Sequence, residues 1–268
     1  EFLRSTWKQV FSGIRTILLL LLSLSIACSA FLPMQWVPFD TVANRTTIAT
    51  TNVERNYNVL KDIFQWGHLG NNLVAALLLY LILDFGNKLF ETAMNLVGGY
   101  QTRDFMNQPL FCSRSPSDFW GRRWNQVVHS MMKRGVFKPL LQRKVPRTTA
   151  ITITFLVSGF FHEYITTIVT YQHADDNKHS QNKQWYGGNL LFFAWNALLV
   201  LLEHTIGKTW FFERVSNFPV PKLVRSLLVV SMALPLGHII TNDMIQTGYF
   251  DHIALGLPII VRVTSVSK

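Results

Sequence analysis

Ile17-Leu18-Leu19-Leu20-Leu21-Leu22-Ser23-Leu24 lies inside Thr16 to Phe39, a stretch with no Asp, Glu, Lys or Arg. A helix needs about 20 apolar residues to cross the hydrocarbon core of a bilayer, so this stretch reads as a membrane span. It is too long for a signal-peptide core, and no small-residue cleavage site followed by a soluble domain appears. Four further stretches repeat the pattern: Ile63 to Leu83, Thr148 to Ala174, Gln184 to Leu202 and Ser226 to Asn242. Ile253 to Val261 is apolar but too short to cross alone. The expectation is five spans with a marginal sixth. The fold class that follows is all-α: a polytopic integral membrane helical bundle, one membrane-embedded domain over 1–268.

Composition agrees. Of 268 residues, 49% are hydrophobic and 15% are charged, against roughly 25% charged in an average soluble protein. That apolar content excludes a disordered chain. Twenty-five Lys and Arg against 15 Asp and Glu leave a net charge of +10, which suits either nucleic acid or a membrane surface. The basic residues border apolar blocks and no recognition fold is evident, so nucleic acid is excluded as a partner. Cys28 and Cys112 are too few for a disulfide framework. The chain starts at Glu1, and an N-terminally incomplete copy of a longer protein is expected.

Loop charge sets the expected orientation. Residues 101–147 are strongly basic, and Lys208 to Arg225 carries four basic residues against Glu213. With cationic loops in the cytosol, Glu1 to Arg15, 101–147 and 207–225 are cytosolic, while 40–62 and 173–186 are lumenal. The sequon Asn44-Arg45-Thr46 then falls in the lumen.

The cytosolic basic segment holds eight basic residues between Arg122 and Arg147, and no Asp or Glu occurs from Phe119 to Phe161. A topology signal with attraction to anionic lipid would explain the charge; so would a docking surface for a phosphate-bearing substrate. Ser115-Pro116-Ser117-Asp118 offers a helix start. At 100° per residue, Asp118, Arg122, Asn125, His129 and Lys133 form one polar stripe opposite Trp120, Trp124, Val127, Val128 and Met131. The expectation is an amphipathic interfacial helix with its tryptophans in the bilayer.

His162-Glu163 is the second feature. Both sit in the middle of an apolar stretch, where ionisable groups are costly and mark function, although an interhelical hydrogen bond or ion pair would also keep them. A neutral His suits a general base. No Gly-rich phosphate loop, CxxC, HExxH or G-x-S-x-G appears, and His68, His173, His204 and His238 lack metal-ligand spacing. They read as packing or interfacial histidines, and no metal is expected. Asn196 and Glu203-His204 either line a tunnel or bridge helices.

The string Ser117-Asp118-Phe119-Trp120-Gly121-Arg122-Arg123-Trp124-Asn125 resembles the "DFWGRRWN" stretch of plant-type wax synthases, in the membrane-bound O-acyltransferase (MBOAT) superfamily. Phe155 to Tyr164 is similar to the "SGxxHE" stretch that carries the superfamily histidine, and to the "FFHEY" of diacylglycerol and sterol O-acyltransferases. Trp124-Asn125-Gln126-Val127-Val128-His129 similarly resembles their "WNxxVH". The resemblance covers about Asn71 to Pro258. It departs from the "FYxDWWN" of the diacylglycerol and sterol enzymes, because Gly121-Arg122-Arg123 separates Trp120 from Trp124. That departure points to the wax-synthase (long-chain-alcohol O-fatty-acyltransferase) branch.

The resemblance implies a transferase of lipid metabolism in the endoplasmic reticulum, moving a fatty acyl group from acyl-CoA to a long-chain alcohol. His162 and Asn125 would be catalytic, as base and oxyanion donor. His129, Glu163 and Asp118 would support them, and Arg122, Arg123, Lys133, Arg134 and Lys138 would hold the CoA phosphates. Acyl-CoA is co-substrate and no cofactor is expected. Membrane lipids and the alcohol acceptor are the partners, with a homo-oligomer left open. The alternatives are a diacylglycerol or sterol O-acyltransferase, and, in another class, a non-catalytic transporter subunit using His162-Glu163 as a proton site.

Overall fold

The computed structural model describes residues 4–39, 63–99, 101–102, 104–174, 187–206 and 221–260. The sequon Asn44-Arg45-Thr46 and most of the expected lumenal loops lie outside them. Among the described residues the chain is helical with no strand.

Among the described residues, four helices are long and apolar enough to cross a membrane. They are α1 (Trp7–Phe31), α2 (Trp66–Val97), α7 (Arg147–Ala174) and α8 (Gly188–Ile206). Between α2 and α7 run the short helices α3 (Pro109–Cys112), α4 (Pro116–Asp118), α5 (Gln126–Met132) and α6 (Lys138–Gln142). After α8 come α9 (Lys222–Ala233), α10 (His238–Gln246) and α11 (Tyr249–Leu255).

The expected span Ser226 to Asn242 is broken. Pro235 and Gly237 lie in and just after a 3₁₀ turn, Leu234–Leu236, and the helices on either side are bent by 65°. The described residues therefore hold four candidate spans, or five if the bent pair counts as one. Of the marginal stretch Ile253 to Val261, the described residues 253–260 form no span: α11 ends at Leu255. Proline removes a backbone hydrogen bond and clashes with the preceding turn, and carbonyls freed in a membrane need new donors. α2 supplies them. Asn72 Nδ2 donates to the carbonyl of Leu234 at 2.7 Å, and His68 Nε2 lies 3.3 Å from the carbonyl oxygen of Pro235. His68 and His238 meet edge to face at 4.7 Å between ring centres, so this histidine pair belongs to the break.

α1 starts with Thr6 N donating to Gln9 Oε1 at 2.8 Å. Ser5 Oγ donates to the carbonyl of Asn95 at 2.6 Å, which puts the start of α1 beside the end of α2. At the opposite end Trp36 is 2% exposed and its Nε1 donates to Asp251 at 3.0 Å. Leu24, Cys28, Val74, Leu78, Val230 and Phe250 fill the core between α1, α2 and the broken pair. In a bilayer such contacts act through close packing and interhelical hydrogen bonds rather than escape from water.

α7 and α8 form the other half. Gly159 permits their approach: a Cβ there would lie 2.9 Å from Leu190 Cα and 3.3 Å from Phe193 Cβ. Glu163 ties the same pair, accepting from the backbone N–H groups of Gly187 and Asn189, both at 3.1 Å.

Candidate active site

The segment between Ser113 and Arg147 lies against one end of α7 and α8. It starts as a helix in the way the residues suggest: Pro116 is at its first position and Ser115 Oγ accepts from Asp118 N. The single helix then fails. Phe119–Arg123 is a π turn, in which Trp124 N donates to the Phe119 carbonyl at 2.8 Å. Trp124 follows in extended backbone, and Asn125 is left-handed at φ 33°, ψ 74°. A new helix, α5, begins there with Asn125 as cap, its Oδ1 accepting from Val128 N at 3.2 Å. The stripe drawn at 100° per residue from Asp118 to Lys133 is therefore two separate faces. Asn tolerates the left-handed region better than most side chains, which suits this residue to the corner.

Capping uses Oδ1 and leaves the amide nitrogen of Asn125 available as a donor. A neutral N–H donor in a water-poor site is suited to a developing oxyanion.

His162 lies in mid α7, with Nδ1 2.7 Å from the carbonyl oxygen of Ser158. A carbonyl can only accept, so the proton is on Nδ1 and Nε2 keeps its lone pair. Its ring packs on Phe193 of α8 at 4.4 Å between centres. That contact depends on the close α7–α8 approach at Gly159.

Two cavities of about 290 Å³ each meet at these residues. His162, Asn125, Trp120, Trp124, Val128 and Phe193 line both. The first opens toward the basic segment and is bounded by His129, Lys133, Arg147 and His204. The second runs among α2, α7, α8 and the broken pair, with a largely apolar lining that includes Ile165, Leu199, Val229 and Met244. An imidazole and a carboxamide thus face a cationic chamber on one side and a greasy one on the other.

Residues 103–195, which include both motifs, match the model of the "Membrane bound O-acyl transferase family". That segment belongs to this family. Over 192 residues the chain is 27% identical to Probable long-chain-alcohol O-fatty-acyltransferase 9 of Arabidopsis thaliana, covering 68% of this chain and 52% of that protein. It is 31% identical to Probable long-chain-alcohol O-fatty-acyltransferase 7 of the same plant over 163 residues, 58% of this chain and 44% of that protein. It is 38% identical over 96 residues to Diacylglycerol O-acyltransferase 1 of Arabidopsis thaliana, 36% of this chain but only 14% of that one. The chain spans about half the length of the long-chain-alcohol relatives it matches. No solved structure matches it.

Within the matched segment the structure redistributes the other expected site residues. His129 lines the cationic cavity, and burial, with the nearby Lys133 charge, lowers its pKa. Of the five cations expected to hold phosphates, Lys133 lines that cavity; Arg122, Arg134 and Lys138 are exposed outside both. Arg123 is occupied: its Nε donates to Asp118 Oδ2 at 2.7 Å and its Nη1 to the Asn107 carbonyl at 3.2 Å. Asp118 also accepts from Arg114 N at 3.0 Å. This pair braces the π turn. Glu163 caps α8 and lines neither cavity.

Sequence reasoning gave no site role to Trp120 or Phe193, which line both cavities, while Arg147, the end of the basic cluster, and His204, read as tunnel-lining or bridging, both line the cationic one. Arg147 carried a signal as the last cation of the basic run. Trp120 carried one as part of the motif, but the helical wheel sent it to the lipid.

Proposed function

We propose that the chain carries the catalytic centre of an acyl-CoA-dependent O-acyltransferase that esterifies a long-chain alcohol, giving a wax ester. The observation that supports this most is the pairing of an oriented imidazole and an amide donor at the junction of the two cavities, inside the family segment. His162 Nε2 takes the proton of the alcohol hydroxyl as its oxygen attacks the thioester carbonyl. Asn125 Nδ2 donates to the oxyanion. The C–S bond then breaks, the CoA thiolate receives the proton from the imidazolium, and the ester leaves. No acyl-enzyme is needed.

Lys133 and Arg147, at the cationic cavity, are the cations best placed for the CoA phosphates. The apolar cavity takes the alcohol chain. In this reading the basic end of the bundle faces the cytosol, and the membrane is that of the endoplasmic reticulum.

The acceptor could instead be a diacylglycerol or sterol, a reading favoured by the 38% identity to a diacylglycerol O-acyltransferase. The Gly121-Arg122-Arg123 insertion and the longer matches to the long-chain-alcohol proteins favour the fatty alcohol. Microsomes bearing the full-length protein, given labelled acyl-CoA with fatty alcohol, diacylglycerol and sterol in competition, decide between them. Wax ester is the expected main product; triacylglycerol or sterol ester as main product overturns the acceptor assignment. Absence of all three overturns the activity.

A further inference from the structure

A buried Asn in an apolar span is costly unless satisfied. Asn196 of α8 is only 1% exposed, and its bonds show what it is for. Its Nδ2 donates to the Phe192 carbonyl at 2.8 Å within its own helix. Its Oδ1 accepts from Trp120 Nε1 at 3.1 Å, reaching out of α8 to the π turn. Two turns later Glu203 does the same to the start of that segment, accepting from Ser117 N at 2.8 Å and Ser117 Oγ at 2.7 Å. α8 therefore pins the motif segment at two points, and one of them is the indole.

Trp120 has a second property. It lines both cavities and is set by ring contacts at 6.0 Å to Phe155 and 5.6 Å to Phe193. With Trp124, Val128 and Phe193 it belongs to the wall shared by the chamber at the basic segment and the apolar one. An acyltransferase working beside water faces a competing reaction, because the base that activates an alcohol also activates a water molecule. Hydrolysis forms a C–O bond to water and breaks the C–S bond; the proton passes through His162 to the thiolate, giving fatty acid and free CoA.

We infer that Trp120 is the partition between the donor and acceptor chambers, and that Asn196 is the positioning residue that locks it, so that together they set the ratio of acyl transfer to acyl-CoA hydrolysis. The inference rests on the O-acyltransferase reading above. Asn196 need not touch either substrate. It acts through the indole N–H, and a tryptophan side chain without that bond would have freedom to turn out of the wall.

The test uses full-length protein in microsomes with labelled acyl-CoA and hexadecanol, measuring ester and free fatty acid together. Trp120→Ala and Asn196→Leu should each raise the acid-to-ester ratio, by about tenfold for Trp120→Ala, the equivalent of about 1.4 kcal/mol of barrier difference. A loss confined to structure lowers both products together and leaves the ratio unchanged; that result in Asn196→Leu overturns the inference, even if Trp120→Ala fails to accumulate. Trp120→Phe removes the indole N–H, so Asn196→Leu added to Trp120→Phe should not raise the ratio further; full additivity overturns the positioning role. Absence of ester from the wild-type protein rejects the transferase reading instead. Wild-type ester formation with an unmoved ratio in the variants rejects this inference alone.

Discussion

The Nδ1 of His162 lies 2.7 Å from the carbonyl oxygen of Ser158, one helical turn earlier. α7 thus fixes its own histidine in the tautomer whose free nitrogen is Nε2, with no carboxylate required. Glu163, adjacent in sequence, points to the start of α8 instead.

His162→Ala is expected to lower esterification by about 10²- to 10⁴-fold, the usual contribution of general acid–base catalysis. Membrane insertion and expression should be unchanged, since the hydrogen bond lost is local to one turn. The comparison is initial rate per unit of inserted protein. A rate near wild type would remove His162 from the mechanism.

Asn125 has two functions that substitution can separate. Asn125→Gly keeps a residue at ease with positive φ but lacks the amide; kcat should fall about 10²- to 10³-fold with little change in thermal midpoint. Asn125→Ala loses the same amide and cap bond but also forces a Cβ into left-handed backbone, and should cost about 1 kcal/mol more stability than Asn125→Gly. Equal stability in the two variants would contradict the left-handed geometry at Asn125. Unimpaired kcat in Asn125→Gly would exclude the oxyanion role.

His129 gives a pH dependence with a definite sign. Burial and the Lys133 charge hold its pKa below the ordinary 6.5, so the folded protein prefers the neutral ring. As pH falls from 6.5 toward the lowered folded-state value, the unfolded chain binds the extra proton first. Stability must drop across that window and level off below it. Thermal midpoints measured between neutral and mildly acid pH should show this slope, and His129→Gln should reduce it. An unaltered slope would mean that other groups carry the dependence.

The cations should divide by position rather than by charge. Arg147→Ala is expected to raise the KM for acyl-CoA about tenfold, through loss of one charge-assisted contact, and to weaken the salt dependence of that KM. Arg123→Ala should act differently, lowering the thermal midpoint by leaving Asp118 without its partner. Steady-state kinetics at two ionic strengths, beside melting curves, checks both. A KM effect confined to Arg123→Ala would reverse the assignment.

Helix type and the positions of four spans could be read from the chain because they depend on composition and local order. α1, α2, α7 and α8 follow from long, largely apolar runs, and His162 stood out by its cost in such a run. The corner at Trp124-Asn125 could not be read that way. One extra residue in the π turn shifts the helical phase, so a wheel carried past Phe119 puts Trp120 on the wrong side. The fates of Arg123 and Glu163 were equally hidden. A cation paired to Asp118 and a carboxylate capping α8 look the same in sequence as groups awaiting substrate. Ser226 to Asn242 reads as one span despite Pro235, and the break with its repair by Asn72 and His68 of α2 shows only in the fold.

Gly159 lets the α7 and α8 backbones come so close that even one methyl group would be pressed against Leu190. Its consequence is a division of labour: the two spans make one self-contained wall, in which His162 stacks on Phe193 through contacts that need nothing from the basic segment. The motif segment is a roof laid on that wall, with Asn196 and Glu203 as its two fastenings.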